Sequence, residues 1–172
     1  MPLLTYKKPV SFLRVPVDTK GKLFASPMPF GPYDPFNRLL KYYKQSRVKT
    51  VVILTTPSEI ELKARKDIRA IYLKHGMQFI HCPIGDFTAP TVEVLAPLID
   101  QVVVRLQTEN VAVHCNAGVG RTGVVLACVL SRVEGIPPED AFTRLQQLMQ
   151  IRTTDEQRRL ATRWFESLQL PA

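Results

Sequence analysis

Cysteine is scarce in this sequence. There are three in 172 residues, Cys82, Cys115 and Cys128, an odd number at unrelated spacings. That excludes a disulfide framework, fits a reducing compartment, and leaves free thiols for chemistry. Long hydrophobic runs are missing as well. The longest uncharged apolar stretch, Val124 to Leu130, falls far short of the roughly 18 residues a membrane span needs, and Met1 to Val10 lacks the continuous apolar stretch of a signal peptide. The expectation is a cytoplasmic protein with no membrane span. Repeats and biased segments are absent apart from a scatter of prolines between 27 and 35, and there is a single tryptophan, Trp164. With 45% hydrophobic and 22% charged residues the composition is that of a folded globular chain. The length suits one domain, residues 1–172, read as an N-terminal cover at 1–47 and a core at 48–172.

Acidic residues are few: 15 against 23 lysines and arginines, a formal charge of +8. A positive field concentrates any anion, whether nucleic acid, an anionic membrane surface or a phosphorylated substrate. The cations Lys41, Lys44, Arg47 and Lys49, and Lys63, Arg65, Lys66 and Arg69, are spread along amphipathic stretches. They do not form one aromatic-interleaved stripe, so they read as solvated helix faces and argue against nucleic acid as the partner.

Residues 10–24 read as two short strands around the turn Asp18-Thr19-Lys20-Gly21, followed by a helix from Phe36 to Gln45. Val48 to Leu54 is a β-branched strand. Thr56, Pro57 and Glu59 then form a capping box that opens one helix, with Ile60, Ala64, Ile68, Ile71 and Tyr72 on a single face up to the stop at Gly76. Met77 to His81 alternates as a strand, Thr91 to Gln107 has helical spacing, and Val111 to His114 is a short strand. Three helices complete the chain, at 122–133, 137–149 and 154–168, the last from a Thr153-x-x-Glu156 box. Strands alternating with helices predict an α/β fold: a mainly parallel central sheet flanked by helices, with ligand beyond the carboxyl ends of the strands. The loops after Leu54, His81 and His114 are therefore the candidate site.

The last of these loops carries chemistry. Between Cys115 and Arg121 lie Asn116, Ala117, Gly118, Val119 and Gly120, joining a strand to the most apolar helix of the chain. A loop of this length can turn its amides onto one phosphate or other oxyanion, while the helix begun near Arg121 adds its positive end. Gly118 and Gly120 allow the close backbone approach. Amides, helix end and guanidinium together favour the thiolate form of Cys115, which makes it a nucleophile at the anion site itself. Arg121 offers a planar fork to two phosphoryl oxygens, and Thr122 can donate its hydroxyl to the sulfur. Other readings of the segment fit less well. Gly118-x-Gly120-x-x-Gly123 satisfies a dinucleotide fingerprint, but only helices follow it. His81-Cys82 with His114-Cys115 is a poor zinc spacing beside a cation, so neither a metal nor a cofactor is expected.

His114-Cys115-x5-Arg121-Thr122-Gly123 resembles the signature of the protein tyrosine and dual-specificity phosphatase superfamily. The likeness extends over the order of elements from about Val48 onward. It implies that family's fold, and hydrolysis of a phosphorylated protein side chain through a phosphocysteine on Cys115. Asp86, in Pro83-Ile84-Gly85-Asp86-Phe87-Thr88-Ala89-Pro90, is similar to the family's general acid, the donor that an alkoxide or phenoxide leaving group requires. By the same resemblance His114 supports the loop by hydrogen bonding, Gln157 positions the hydrolytic water, and Cys82 is a redox partner for Cys115. A surface glutamine and a buried strand thiol are the alternatives for the last two. Asn116, Ala117 and Val119 bring no positive charge, which disfavours phosphoinositides. A glucan phosphatase, a 5′-phosphatase of nucleic acid and a non-catalytic phospho-binding module remain as competing functions.

Overall fold

The structure, a computed structural model, describes residues 12–169. Its strands are β1 (Leu13–Val15), β2 (Leu23–Ser26), β3 (Val48–Ile53), β4 (Gln78–His81) and β5 (Asn110–His114). Residues 10 and 11 of the expected first strand lie outside the described residues. β1 pairs antiparallel with β2, every other pairing is parallel, and the order is β1-β2-β5-β3-β4. The expected mainly parallel sheet is thus present. The N-terminal segment is more than a cover, because β2 is an internal strand hydrogen-bonded to β5.

The β-branched run in β3 is continuous because both its faces are buried. Val52 and Leu54 face one way, into a core with α4 (Val92–Leu106), α5 (Arg121–Glu134), α6 (Pro138–Leu148) and α7 (Asp155–Ser167). Trp164 is buried in that core. Val51 and Ile53 face the other way, with Tyr43 of α1 (Leu39–Gln45) and with Ile68 and Tyr72 of α3 (Ile68–Lys74). No helix among the described residues is long and apolar enough to cross a membrane.

Three expected helix boundaries need correction. α1 starts at Leu39 and not Phe36, because Asn37 has a left-handed φ of 51° and Asp34 accepts from the amides of Arg38 and Leu39. The single helix expected from Thr56 to Gly76 is broken. The capping box opens only α2 (Pro57–Glu59), a π-helical turn follows at Ile60–Ala64, Arg65 is left-handed, and Asp67 caps α3 afresh through the Ala70 amide. Apolar spacing runs unbroken through both pieces, so periodicity could not report the break. The cap of α7 lies one residue later than expected. Thr154 and Gln157 form the reciprocal box, while the Thr153 hydroxyl accepts from Arg158 Nε instead.

Candidate active site

Parallel strands bring their carboxyl ends to one edge of the sheet, and the segments after β2, β4 and β5 line a single cavity of 140 Å³. Tyr33 comes from the segment after β2, Asp86 and Phe87 from the loop after β4, and Cys115 to Arg121 from the loop after β5. Arg152 and Gln157 join them from the α6–α7 connection. A larger open groove of 560 Å³ over Pro57, Ile60, Arg65 and Arg69 holds no nucleophile.

The loop after β5 wraps around the sulfur. The Gly118 amide donates to Cys115 Sγ at 3.3 Å, and Cys115 itself is 3% exposed. Gly118 has φ of 78°, and a Cβ there would lie 2.6 Å from Ser26 O at the end of β2, so glycine is required on both counts. The N-terminal segment also braces the loop through the Met28 amide, which donates to Asn116 O at 3.1 Å. From the other side, the Arg152 amide donates to Val119 O at 2.9 Å. The positive end of α5 begins at Arg121, directly behind the loop.

Arg121 is 3% exposed and heavily committed. Nη1 and Nη2 each donate at 2.8 Å to one oxygen of Glu59, Nη1 also donates to Ile84 O at 2.7 Å, and Nη2 lies 3.2 Å from Asp86 Oδ1. The fork expected to meet two phosphoryl oxygens is thus already engaged by Glu59 through both terminal nitrogens. Glu59 takes the Nη1–Nη2 edge, and the buried Nε has no partner among the described residues. Glu59 was legible only as half of a capping box, and it does both jobs. Burial would raise its pKa, but hydrogen bonds from Arg121 and from the Thr56 amide outweigh that and hold it at about 2.

His114 is fully buried, 3.0 Å from the Tyr72 hydroxyl through Nε2 and 3.2 Å from Cys115 O through Nδ1. Nδ1–H donating to the carbonyl and Tyr72 O–H donating to Nε2 satisfies both contacts with a neutral ring. Burial depresses its pKa to about 4. Between about pH 6.5 and 4 the unfolded chain therefore binds a proton that the folded chain refuses, so stability falls as pH drops through that window, by on the order of 3 kcal/mol. Urea unfolding at the two ends of the window should show this fall, and His114→Gln should flatten it.

The hydrogen bond expected from Thr122 to the sulfur is not formed. Sγ takes the Gly118 amide, and Thr122 Oγ1 is buried without a partner, as is Asn116 Oδ1. These two atoms and Arg121 Nε are three of the four buried side-chain polar atoms left unpartnered among the described residues, and all three surround the loop. The loop thus keeps hydrogen-bonding capacity that the protein's own groups do not use.

Cys82 and Cys115 are not brought together. They follow matching ends of β4 and β5, with β3 between, and two strand spacings put their Cα atoms about 10 Å apart. A disulfide spans at most about 7 Å, so the expected redox pairing is unsupported. Cys82 is half-buried, and burial pushes its thiol pKa up. Gln157 is no surface residue: it is 2% exposed and lines the cavity. Residues that motif reading missed are Glu59 as partner of Arg121, Tyr72 behind His114, Tyr33 and Phe87 on the rim, and Arg152.

A family model described as "Polymorphic toxin system, DSP-PTPase phosphatase" matches residues 31–134. The tyrosine-protein phosphatase cdc-14 of Caenorhabditis elegans is 29% identical over 105 residues, which are 61% of this chain and 13% of that protein. The chain spans from 13% to half of the length of the curated relatives it matches. A mutant form of Tk-PTP superposes with a TM-score of 0.74 at 25% identity, covering 92% of this chain and 97% of that one. Kinase associated phosphatase, with its catalytic-site cysteine changed to serine, superposes at 0.80 with 18% identity over 96% and 99% of the two chains.

Proposed function

This chain belongs to the DSP-PTPase phosphatases, a family of enzymes, and on that premise we propose that it hydrolyses phosphotyrosine, and phosphoserine or phosphothreonine, in phosphorylated proteins through a phosphocysteine. The observation that carries the reading is convergence: a buried sulfur holding an amide hydrogen bond, a buried guanidinium and an exposed carboxylate all meet in one 140 Å³ cavity. Residues 1–172 act on this reading as one phosphatase domain.

In the first step the Cys115 thiolate attacks phosphorus. The S–P bond forms as the bond from phosphorus to the ester oxygen breaks, and Asp86, as a carboxylic acid, gives that oxygen its proton. In the second step Asp86 as carboxylate takes a proton from water, the water oxygen bonds to phosphorus, and the S–P bond breaks to release phosphate. The amides of Asn116, Ala117, Gly118, Val119 and Gly120, with Arg121 Nε and Nη2, hold the equatorial oxygens through both steps. Thr122, its hydroxyl unspent, is placed in the same turn to assist the departing sulfur, and neutral His114 holds the Cys115 carbonyl without taking part in proton transfer.

Tyr33 and Phe87, 45% and 73% exposed and both lining the cavity, support an aromatic phosphoester, since an aromatic ring gains from packing on aromatic side chains. The uncharged Asn116, Ala117 and Val119 still speak against a multiply phosphorylated lipid headgroup. The test is hydrolysis of phosphotyrosyl and phosphoseryl peptides across about pH 4 to 9 with a chelator present. Metal-independent turnover is expected, faster on phosphotyrosine, with Asp86→Asn about a hundredfold slower wherever the leaving group needs a proton. Turnover abolished by the chelator, or none at any pH, would overturn the reading.

A further inference from the structure

Gln157 spends both ends of its amide. Oε1 accepts from the Thr154 amide at 2.9 Å, closing the cap of α7, and Nε2 donates to Thr88 O at 2.9 Å, in the loop that carries Asp86. Only this orientation of the amide suits both partners, because one is a donor and the other an acceptor. The loop itself is otherwise loosely tied. Within it Thr88 bonds back to Gly85 through its amide and hydroxyl, and the Phe87 amide donates to Asp86 Oδ1. From outside residues 85–90, two side chains among the described residues hold it by a hydrogen bond or ion pair: Arg121 at Asp86 and Gln157 at Thr88. The first of these competes with a phosphoryl group for the same guanidinium edge. When substrate is bound, the buried Gln157 contact is the one that remains.

We propose that Gln157 is the positioning residue that latches the 85–90 loop over Cys115, so that Asp86 stays aligned with the leaving oxygen after substrate has taken Arg121. This inference rests on the phosphatase reading above and assigns Gln157 to the proton donor in place of the hydrolytic water. It also couples the α6–α7 connection to the chemistry, since the Arg152 amide is tied to Val119 O two residues before the Thr154 cap.

Gln157→Glu separates the latch from the cap. A glutamate accepts from the Thr154 amide as well as a glutamine does, but has no proton to donate to Thr88 O. The substrates to compare are phenyl phosphate, whose leaving oxygen needs a proton, and dinitrophenyl phosphate, whose phenolate departs unaided. The expected result is a loss of about ten- to a hundredfold in kcat/KM on phenyl phosphate and less than about threefold on dinitrophenyl phosphate. Amide exchange in 85–90 should quicken about fivefold or more while the interior of α7 stays unchanged, a readout that needs no turnover. Gln157→Ala, which removes latch and half the cap, should show the same split between leaving groups. Equal losses on both substrates, or a burst of phenol followed by slow turnover, would overturn the latch and return Gln157 to the water. Unchanged exchange in 85–90 would overturn it too. Wild type inactive on both substrates would defeat the phosphatase reading, and the exchange measurement would then decide the latch by itself.

Discussion

Replacing Cys115 by serine is expected to abolish phosphomonoester hydrolysis while leaving a folded protein that still binds a phosphopeptide. The exchange costs little structurally, because serine is smaller and its oxygen can accept the Gly118 amide that now bonds Sγ at 3.3 Å. Chemically it removes two things at once. A serine hydroxyl is not ionised near neutral pH, and no histidine base stands by to ionise it: His114 is spent on Tyr72 and Cys115 O. An alkoxide is also a far poorer leaving group than a thiolate, so any phosphoserine formed would persist. Calorimetry against a phosphotyrosyl peptide together with a discontinuous phosphate assay reads both halves. Residual turnover above about a thousandth of wild type would mean that water attacks phosphorus directly, with loop and arginine supplying the remaining catalysis.

The second large effect is expected at Arg121. Arg121→Lys keeps the charge and loses the geometry: one ammonium cannot hold both Glu59 oxygens at 2.8 Å, Ile84 O at 2.7 Å and a phosphoryl oxygen together. Activity should fall about a thousandfold, in line with the loss of one or two donors to the transition state. The structural consequence is also specific. In the native protein Glu59 is held ionised down to about pH 2, and its contribution to stability is present above the usual carboxylate value of 4.5 and lost as pH falls toward 2. With lysine in place the pKa of Glu59 should rise and acid unfolding should begin at higher pH, visible in thermal scans between about pH 5 and 3. A variant that loses activity with an unchanged acid profile would show that Glu59 keeps its charge without the fork, against the interlock drawn here.

Much of this site is local in the chain, and local chemistry can be read from a sequence. The proposed nucleophile, the loop and the arginine lie within seven consecutive positions, Cys115 to Arg121, and the turn that brings them together needs only glycines, a strand before and a helix after. The capping pair Thr56 and Glu59 was equally plain, being three residues apart. Hydrophobic period distinguished strands from helices and so placed the loops after Leu54, His81 and His114, but it gave no sign of the segment after β2 or of the α6–α7 connection. The sequence points to Thr153 with Glu156 as the capping box, where the structure has Thr154 with Gln157, one residue on and matching the same pattern. The choice turned on the Arg158 contact to Thr153 and on the Thr88 carbonyl waiting for Gln157.

What the sequence by itself determined is which groups stand together: a thiol and a guanidinium at the two ends of one glycine-bearing turn, and a carboxylate in the loop after a neighbouring strand. Tertiary structure decided the partnerships. Inserting β3 between β4 and β5 keeps Cys82 from Cys115, and laying β2 beside β5 puts Ser26 O against Gly118. The same order of strands carries Glu59 onto Arg121 across 62 residues and Gln157 onto Thr88 across 69. The physical reason is one of range. A capping box or a phosphate loop closes within a turn or two of backbone, whereas a contact between distant segments exists only once the strands have found their order, and that order is decided by burial of both sheet faces at once.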